Sequence, residues 1–142
     1  MLMWARDRSE RYEMETWILA ARAAREFAYA PYSNFRVGAA LVAADGRIFT
    51  GCNVENLSFG LTMCAERVAI GRAISEGAHD FAAIVIVADT GEPVSPCGAC
   101  RQVLAEFAPD LKVILTNLTG RVEEWTLSKL LPRASTGILD RP

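Results

Sequence analysis

Apolar residues early in the chain recur at helical spacing. Met14, Trp17, Ile18, Ala21, Ala24 and Ala28 share one face and predict an amphipathic helix over 14–28, ended before Pro31. Residues 1–13 read as a flexible N-terminal extension. From Phe35 the period falls to two, with Phe35, Val37, Ala39 and Leu41 on one face of a predicted strand. Asp45-Gly46 then signals a tight hairpin into a second strand over 47–54. Thr62 is placed to cap a second helix that runs to about Glu76 and is closed by Gly77. Phe81 to Ala88 is a continuous apolar run, the pattern of a strand covered on both faces. Ser95-Pro96 predicts the opening of a third helix ending near Pro109, because proline at the first helical position lacks only an N–H that would go unpaired anyway. Strands over 111–116 and 121–126 follow, then a short helix around 127–131. Their link, 117–120, is far shorter than the dozen or so residues a parallel crossover needs, so the last two strands should be antiparallel. The whole reads as one domain over 1–142, an α/β fold: a three-layer α/β/α sandwich on a mixed five-stranded sheet.

Composition changes the picture mainly by exclusion. Hydrophobic residues make up 51% of the 142 and charged residues 23%, a balance that supports a real core and argues against disorder. Lys and Arg total 15 against 17 Asp and Glu, for a net charge of −2, so no field exists to hold a long nucleic acid. No apolar run approaches the roughly 18 residues of a membrane span. The N-terminus breaks into charges after four residues, which gives a secretory signal no hydrophobic region. The expectation is a soluble, cytoplasmic protein whose four cysteines stay reduced.

Three of those cysteines form the candidate chemistry. Cys97 and Cys100 make a C-x-x-C at the start of the third predicted helix, one turn apart on one face, and Cys64 stands at the start of the second. Positive helix ends favour the thiolates that bind zinc, and three ligands leave a tetrahedral corner for water, the mark of a catalytic site. A C-x-x-C alone fits a redox pair or two core thiols as well. Glu66 follows Cys64 by two, a spacing that does not share a helical face, and it stands one place too late to complete a capping box with Thr62. Cys52 reads as a small core residue, and His79, the only histidine, as a surface loop residue. Asn53 and Glu55, two apart in a strand, point to one face and can together grip a pair of hydroxyls; strand-end polarity before an Asn turn is the alternative. Tyr32, Phe35 and Phe59 are core residues by default, though one of them can stack on a base.

Four segments in order resemble the small, zinc-dependent cytidine deaminases of the homotetrameric type. They are Ala30-Pro31-Tyr32-Ser33-Asn34-Phe35, Gly51-Cys52-Asn53-Val54-Glu55-Asn56, Cys64-Ala65-Glu66-Arg67 and Ser95-Pro96-Cys97-Gly98-Ala99-Cys100-Arg101-Gln102. The resemblance, covering about 28–132, implies a cytidine deaminase-like sandwich and hydrolysis of cytidine and 2′-deoxycytidine to uridine and 2′-deoxyuridine. Zinc-bound hydroxide would attack C4 and ammonia would leave. It implies Cys64, Cys97 and Cys100 as ligands of one zinc per chain and Glu66 as proton shuttle. By the same resemblance Ala65 contacts the base through its backbone, Phe35 packs beside it, and Asn53 with Glu55 binds the ribose hydroxyl. A homotetramer with shared active sites, acting in pyrimidine salvage, is also implied. Three thiolates around a divalent ion sum to −1, which blunts its power to acidify water. Arg67, three residues after Cys64, is placed to draw charge from the sulfurs, and the resemblance assigns it that part.

Two departures stand out. Phe59 occupies a position where the family commonly has tyrosine, and Leu130-Leu131-Pro132 is followed by Arg133-Ala134-Ser135 where an aromatic is common. Three rival readings follow: a deaminase of a modified cytosine nucleoside such as blasticidin S, for which Ser135 leaves room; a polynucleotide deaminase, disfavoured by the acidic balance; and a non-catalytic zinc-stabilised assembly subunit, which leaves Glu66 without a purpose.

Overall fold

A computed structural model of the chain describes residues 7–134. Helix α1 spans Arg8–Arg25, six residues earlier than the apolar periodicity indicates. The reason is a cap: Asp7 accepts a hydrogen bond from the Glu10 N–H at 3.0 Å, and a charged first turn then needs no apolar stripe. Residues 8–13 are therefore helical, and the remainder of the expected extension, 1–6, lies outside the described residues, as does Ser135. Arg22 and Arg25 close α1 at its negative end.

Strands β1 (Val37–Ala43), β2 (Ile48–Cys52), β3 (Phe81–Ala88), β4 (Lys112–Asn117) and β5 (Val122–Thr126) form one sheet in the order β2-β1-β3-β4-β5. Only β3 and β4 are parallel, joined through helix α3 (Gly98–Phe107). The β4–β5 pair is antiparallel, as the short link requires. Helix α2 (Ala65–Ser75) lies between β2 and β3 in the chain, and α4 (Leu127–Leu130) follows β5. Gly46, at φ +92°, makes the β1–β2 turn, and Gly77, at φ +87°, ends α2.

The period-two alternation divides the core into two layers. Ala40, Val85, Val87 and Ile114 pack with Met14 and Ala21 of α1 on one side. Ala39, Leu41, Ile84, Ile86, Val113 and Leu115 pack with Ala65, Ala69, Leu104 and Leu127 on the other. The sandwich is thus three-layered, with α1 alone on one face and α2, α3 and α4 on the other. Two glycines permit the close approach of both helix layers. A β-carbon on Gly38 would collide with the Ala21 carbonyl of α1. One on Gly51 would lie 2.5 Å from the Ala65 carbonyl and 2.6 Å from the Ala69 nitrogen, so this glycine sets how near the first turn of α2 stands to β2.

Two helix starts differ from expectation. Thr62 does not cap α2; its Oγ1 accepts instead from the Asn56 N–H at 3.2 Å, and it ends a 3-10 turn over Phe59–Leu61. Ser95-Pro96 does not open α3; the helix begins two residues later, behind Cys97. No described helix is long and apolar enough to cross a membrane.

Candidate metal centre

The residues that precede α2 and α3 are cysteines. Cys64 (φ −70°, ψ 152°) and Cys97 (φ −66°, ψ 166°) occupy the N-cap positions, where serine, threonine, aspartate or asparagine ordinarily bonds a free N–H of the first turn. Neither sulfur does so, which leaves both available elsewhere. Cys100 sits one turn into α3 and is fully buried. Because Cys64 is extended rather than helical, it and Glu66 converge despite their two-residue spacing.

The Sγ atoms of Cys64 and Cys97 are 3.9 Å apart, and all three sulfurs lie within 4.8 Å of one another. Zinc–sulfur bonds of about 2.3 Å in a tetrahedron separate sulfurs by about 3.8 Å, so the donor set fits that ion. The Cys100 sulfur lies within 4.8 Å of that of Cys64, and the Arg67 guanidinium donates to Cys64 at 3.4 Å. Together they hold Cys64 well below the usual thiol range, at about 5. Cys100, against the Cys64 sulfur and buried, is pushed up. Arg67 Nε is buried without a partner, which leaves donor capacity beside a cluster that gains negative charge when the thiols ionise.

Glu66 is 5% exposed, and burial, with the Cys64 charge beside it, raises its carboxyl above the ordinary range against the opposing pull of Cys100, its own backbone N–H and Arg67. It lines a cavity of about 390 Å³ together with Cys64, Cys97, Ala65, Phe35, Asn53 and Glu55. The structure therefore gathers the catalytic and substrate-contacting candidates around one space, with Arg67 behind the sulfurs. Ile86, Val94 and Ser95 add to the wall at the carboxyl end of β3, where ligands of open α/β sheets commonly sit.

Asn53 and Glu55 lie beyond the end of β2, and both are engaged with backbone. The Asn53 side chain receives the Val37 N–H at 2.9 Å and donates to the Phe35 carbonyl at 2.7 Å, a peptide-like link that prolongs the sheet. Glu55 accepts from the N–H groups of Tyr32 (2.9 Å) and Ser33 (3.2 Å) and from the Ser33 hydroxyl, which holds its carboxyl low. Ser33 Oγ in turn accepts from the Phe35 N–H. Sequence reasoning missed Ser33; its only signal is its place within the motif that carries Phe35. Asn56 receives the Ser58 N–H at 2.8 Å, the Asn turn of the alternative reading.

The aromatics correct the default reading as core. Phe35 is 40% exposed at the cavity, while Tyr32 and Phe59 meet edge to face on the surface with centroids 5.9 Å apart. Cys52 is half-buried rather than a core residue.

Three thiols at two converging helix starts, beside a buried carboxylate and an open cavity, define a catalytic zinc centre on an α/β sandwich. Residues 11–116 match the family model of the cytidine and deoxycytidylate deaminase zinc-binding region, and the chain belongs to that zinc-dependent family. It is 60% identical over 114 residues to a cytidine deaminase of Halalkalibacterium halodurans, covering 80% of this chain and 86% of that one. It is 55% identical over 123 residues to a cytidine deaminase of Sporosarcina psychrophila, covering 86% and 90%. A crystal structure of cytidine deaminase from Burkholderia pseudomallei superposes with a TM-score of 0.81 at 55% identity, covering 83% of this chain and 95% of that one.

Proposed function

We propose that this zinc-dependent deaminase hydrolyses cytidine and 2′-deoxycytidine to the uridine nucleosides, releasing ammonia. The observation that carries the reading is the convergence of buried Glu66 with the sulfurs of Cys64 and Cys97 on one cavity of small-molecule size. The three sulfurs would hold one zinc, which when bound supplies the Lewis acidity that makes a water attack the pyrimidine C4 near neutral pH.

The chain's own residues do the rest. Glu66 takes one proton from the attacking water and delivers it to N3, then takes the second from the hydroxyl now on C4 and passes it to the amine, which leaves as ammonia while the C4 carbonyl forms. Its raised pKa suits this exchange, because a group that both takes and gives protons works best with a pKa close to the working pH. Arg67 donates to Cys64 and reduces the charge that three thiolates place on the ion. Free N–H groups at the start of α2, that of Ala65 among them, suit the base carbonyl. Phe35 flanks the ring, and Asn53 and Glu55 offer the sugar hydroxyls what acceptor and donor capacity the loop leaves them.

The same reading takes the enzyme as a cytoplasmic homotetramer of pyrimidine salvage, acting on free nucleosides rather than nucleic acid. An exposed apolar patch beside the cavity supports assembly. Tyr29, Val54 and Met63 are joined by bridges between their backbones, and Tyr32 meets Phe59 next to Leu61. A second copy of the chain is the occupant such a surface suits.

The test is the loss of cytidine absorbance by zinc-loaded protein and by Glu66→Gln with equal zinc. The expected result is an active parent and a variant slower by about 10²–10⁴-fold. Inactivity of both at full zinc content would instead leave a zinc-stabilised assembly subunit.

A further inference from the structure

We propose that Arg101 is a positioning residue of the metal site, a clamp that fixes the backbone on both sides of Cys97 and ties it to the C-terminal segment. The inference rests on the reading of Cys97 as a zinc ligand. The Arg101 Nε–H donates to the Pro96 carbonyl at 2.8 Å, and Nη1 donates to the Leu130 carbonyl at 2.8 Å. Its main-chain N–H also donates to the Cys97 carbonyl at 3.0 Å. The peptide planes before and after the Cys97 α-carbon are thus both held by one residue. Fixing two successive planes fixes φ and ψ between them, and so the direction of the Cys97 Cα–Cβ bond; only the side-chain torsion remains free.

Cys97 is the ligand that needs this support. Cys100 is fully buried inside α3, and Cys64 is half-buried, but Cys97 is exposed at the end of the loop after β3. Packing holds the first two; hydrogen bonds must hold the third. The clamp's far end is well anchored, because Leu130, Leu131 and Ala134 pack against the core beneath α3. Gln102 adds a longer bond to the Ala134 carbonyl at 3.4 Å. Arg101 can link Pro96 to Leu130 because a guanidinium presents several N–H groups in a fixed plane. Lysine offers one flexible ammonium and cannot reproduce the fork.

The experiment compares parent, Arg101→Lys and Arg101→Ala in zinc release to a chromophoric chelator, and in the melting temperature of zinc-loaded and metal-free protein. A positioning role gives Arg101→Ala zinc release at least about 10-fold faster, the usual scale for groups that orient a metal ligand. It also narrows the melting-temperature gap between loaded and metal-free forms, with Arg101→Lys intermediate. Lysine keeps the charge, so a defect in that variant reads the geometry even where alanine fails to fold. Unchanged zinc release, with both forms losing equal melting temperature, overturns the proposal and reduces Arg101 to a link between α3 and α4. A parent that retains no zinc overturns the functional reading as well.

Discussion

At the scale of single residues, the site is built from side chains in unaccustomed positions. Arg67 is the clearest case: a cation donating to a sulfur inside a cluster that would otherwise carry excess negative charge. Arg67→Ala is expected to stay folded while turnover at full zinc loading drops about 10–100-fold, and steady-state kinetics with metal analysis checks this. Asn53 makes a different point. Its spacing from Glu55 suggests a contact for hydroxyls, yet both ends of its amide already bond backbone at Phe35 and Val37. Asn53→Ala strands two backbone groups at the cavity wall, so urea unfolding should show a loss of about 1–3 kcal/mol alongside any rise in KM. The proposed substrate contact and the construction of the wall fall on the same side chain.

At the scale of elements, the helix starts decide the chemistry. Gly51 lets the first turn of α2 lie against β2, and through that turn it sets where Cys64 and Glu66 stand. Gly51→Ala is expected to lose most zinc and activity while near-native secondary structure persists, as circular dichroism and metal content would show. These starts are also where the sequence was hardest to read. The apolar run of β3 left no ambiguity, and its bounds are those the pattern indicates. The 117–120 link settled the direction of β5 by length alone. Thr62 and Ser95-Pro96 misled because each is a good helix opener by type but is engaged otherwise, Thr62 with Asn56 and the Pro96 carbonyl with Arg101. Cysteine is a poor cap, so nothing local marks Cys64 and Cys97 as N-caps; only their role toward a metal explains them. The start of α1 was missed for the opposite reason, since Asp7 is a good cap in front of a turn without apolar residues.

At the scale of the molecule, the candidate site was legible as a set of residues and illegible as a network. The motifs point to three sulfurs and a carboxylate, but a linear pattern does not show that Glu55 braces the segment of Tyr32 and Ser33 or that Arg101 reaches Leu130. Such contacts depend on the sheet order, which places the ends of β2 and β3 and the approach to β1 around one space. The apolar patch at Tyr29, Val54 and Met63 belongs to this scale too. Sedimentation equilibrium should give a tetramer, and charged replacements at Leu61 and Met63 should shift it toward smaller species with reduced activity. A fully active monomer would remove that part of the reading.

The two uncapped helix starts carry a final consequence. Forgoing a side-chain cap costs about 0.5–2 kcal/mol at each, so the chain leaves its two most important turns under-secured until an ion draws their sulfurs together. Binding of the ion should accordingly slow hydrogen exchange at the first-turn amides of α2 and α3, which mass spectrometry of zinc-loaded and chelator-treated protein would read.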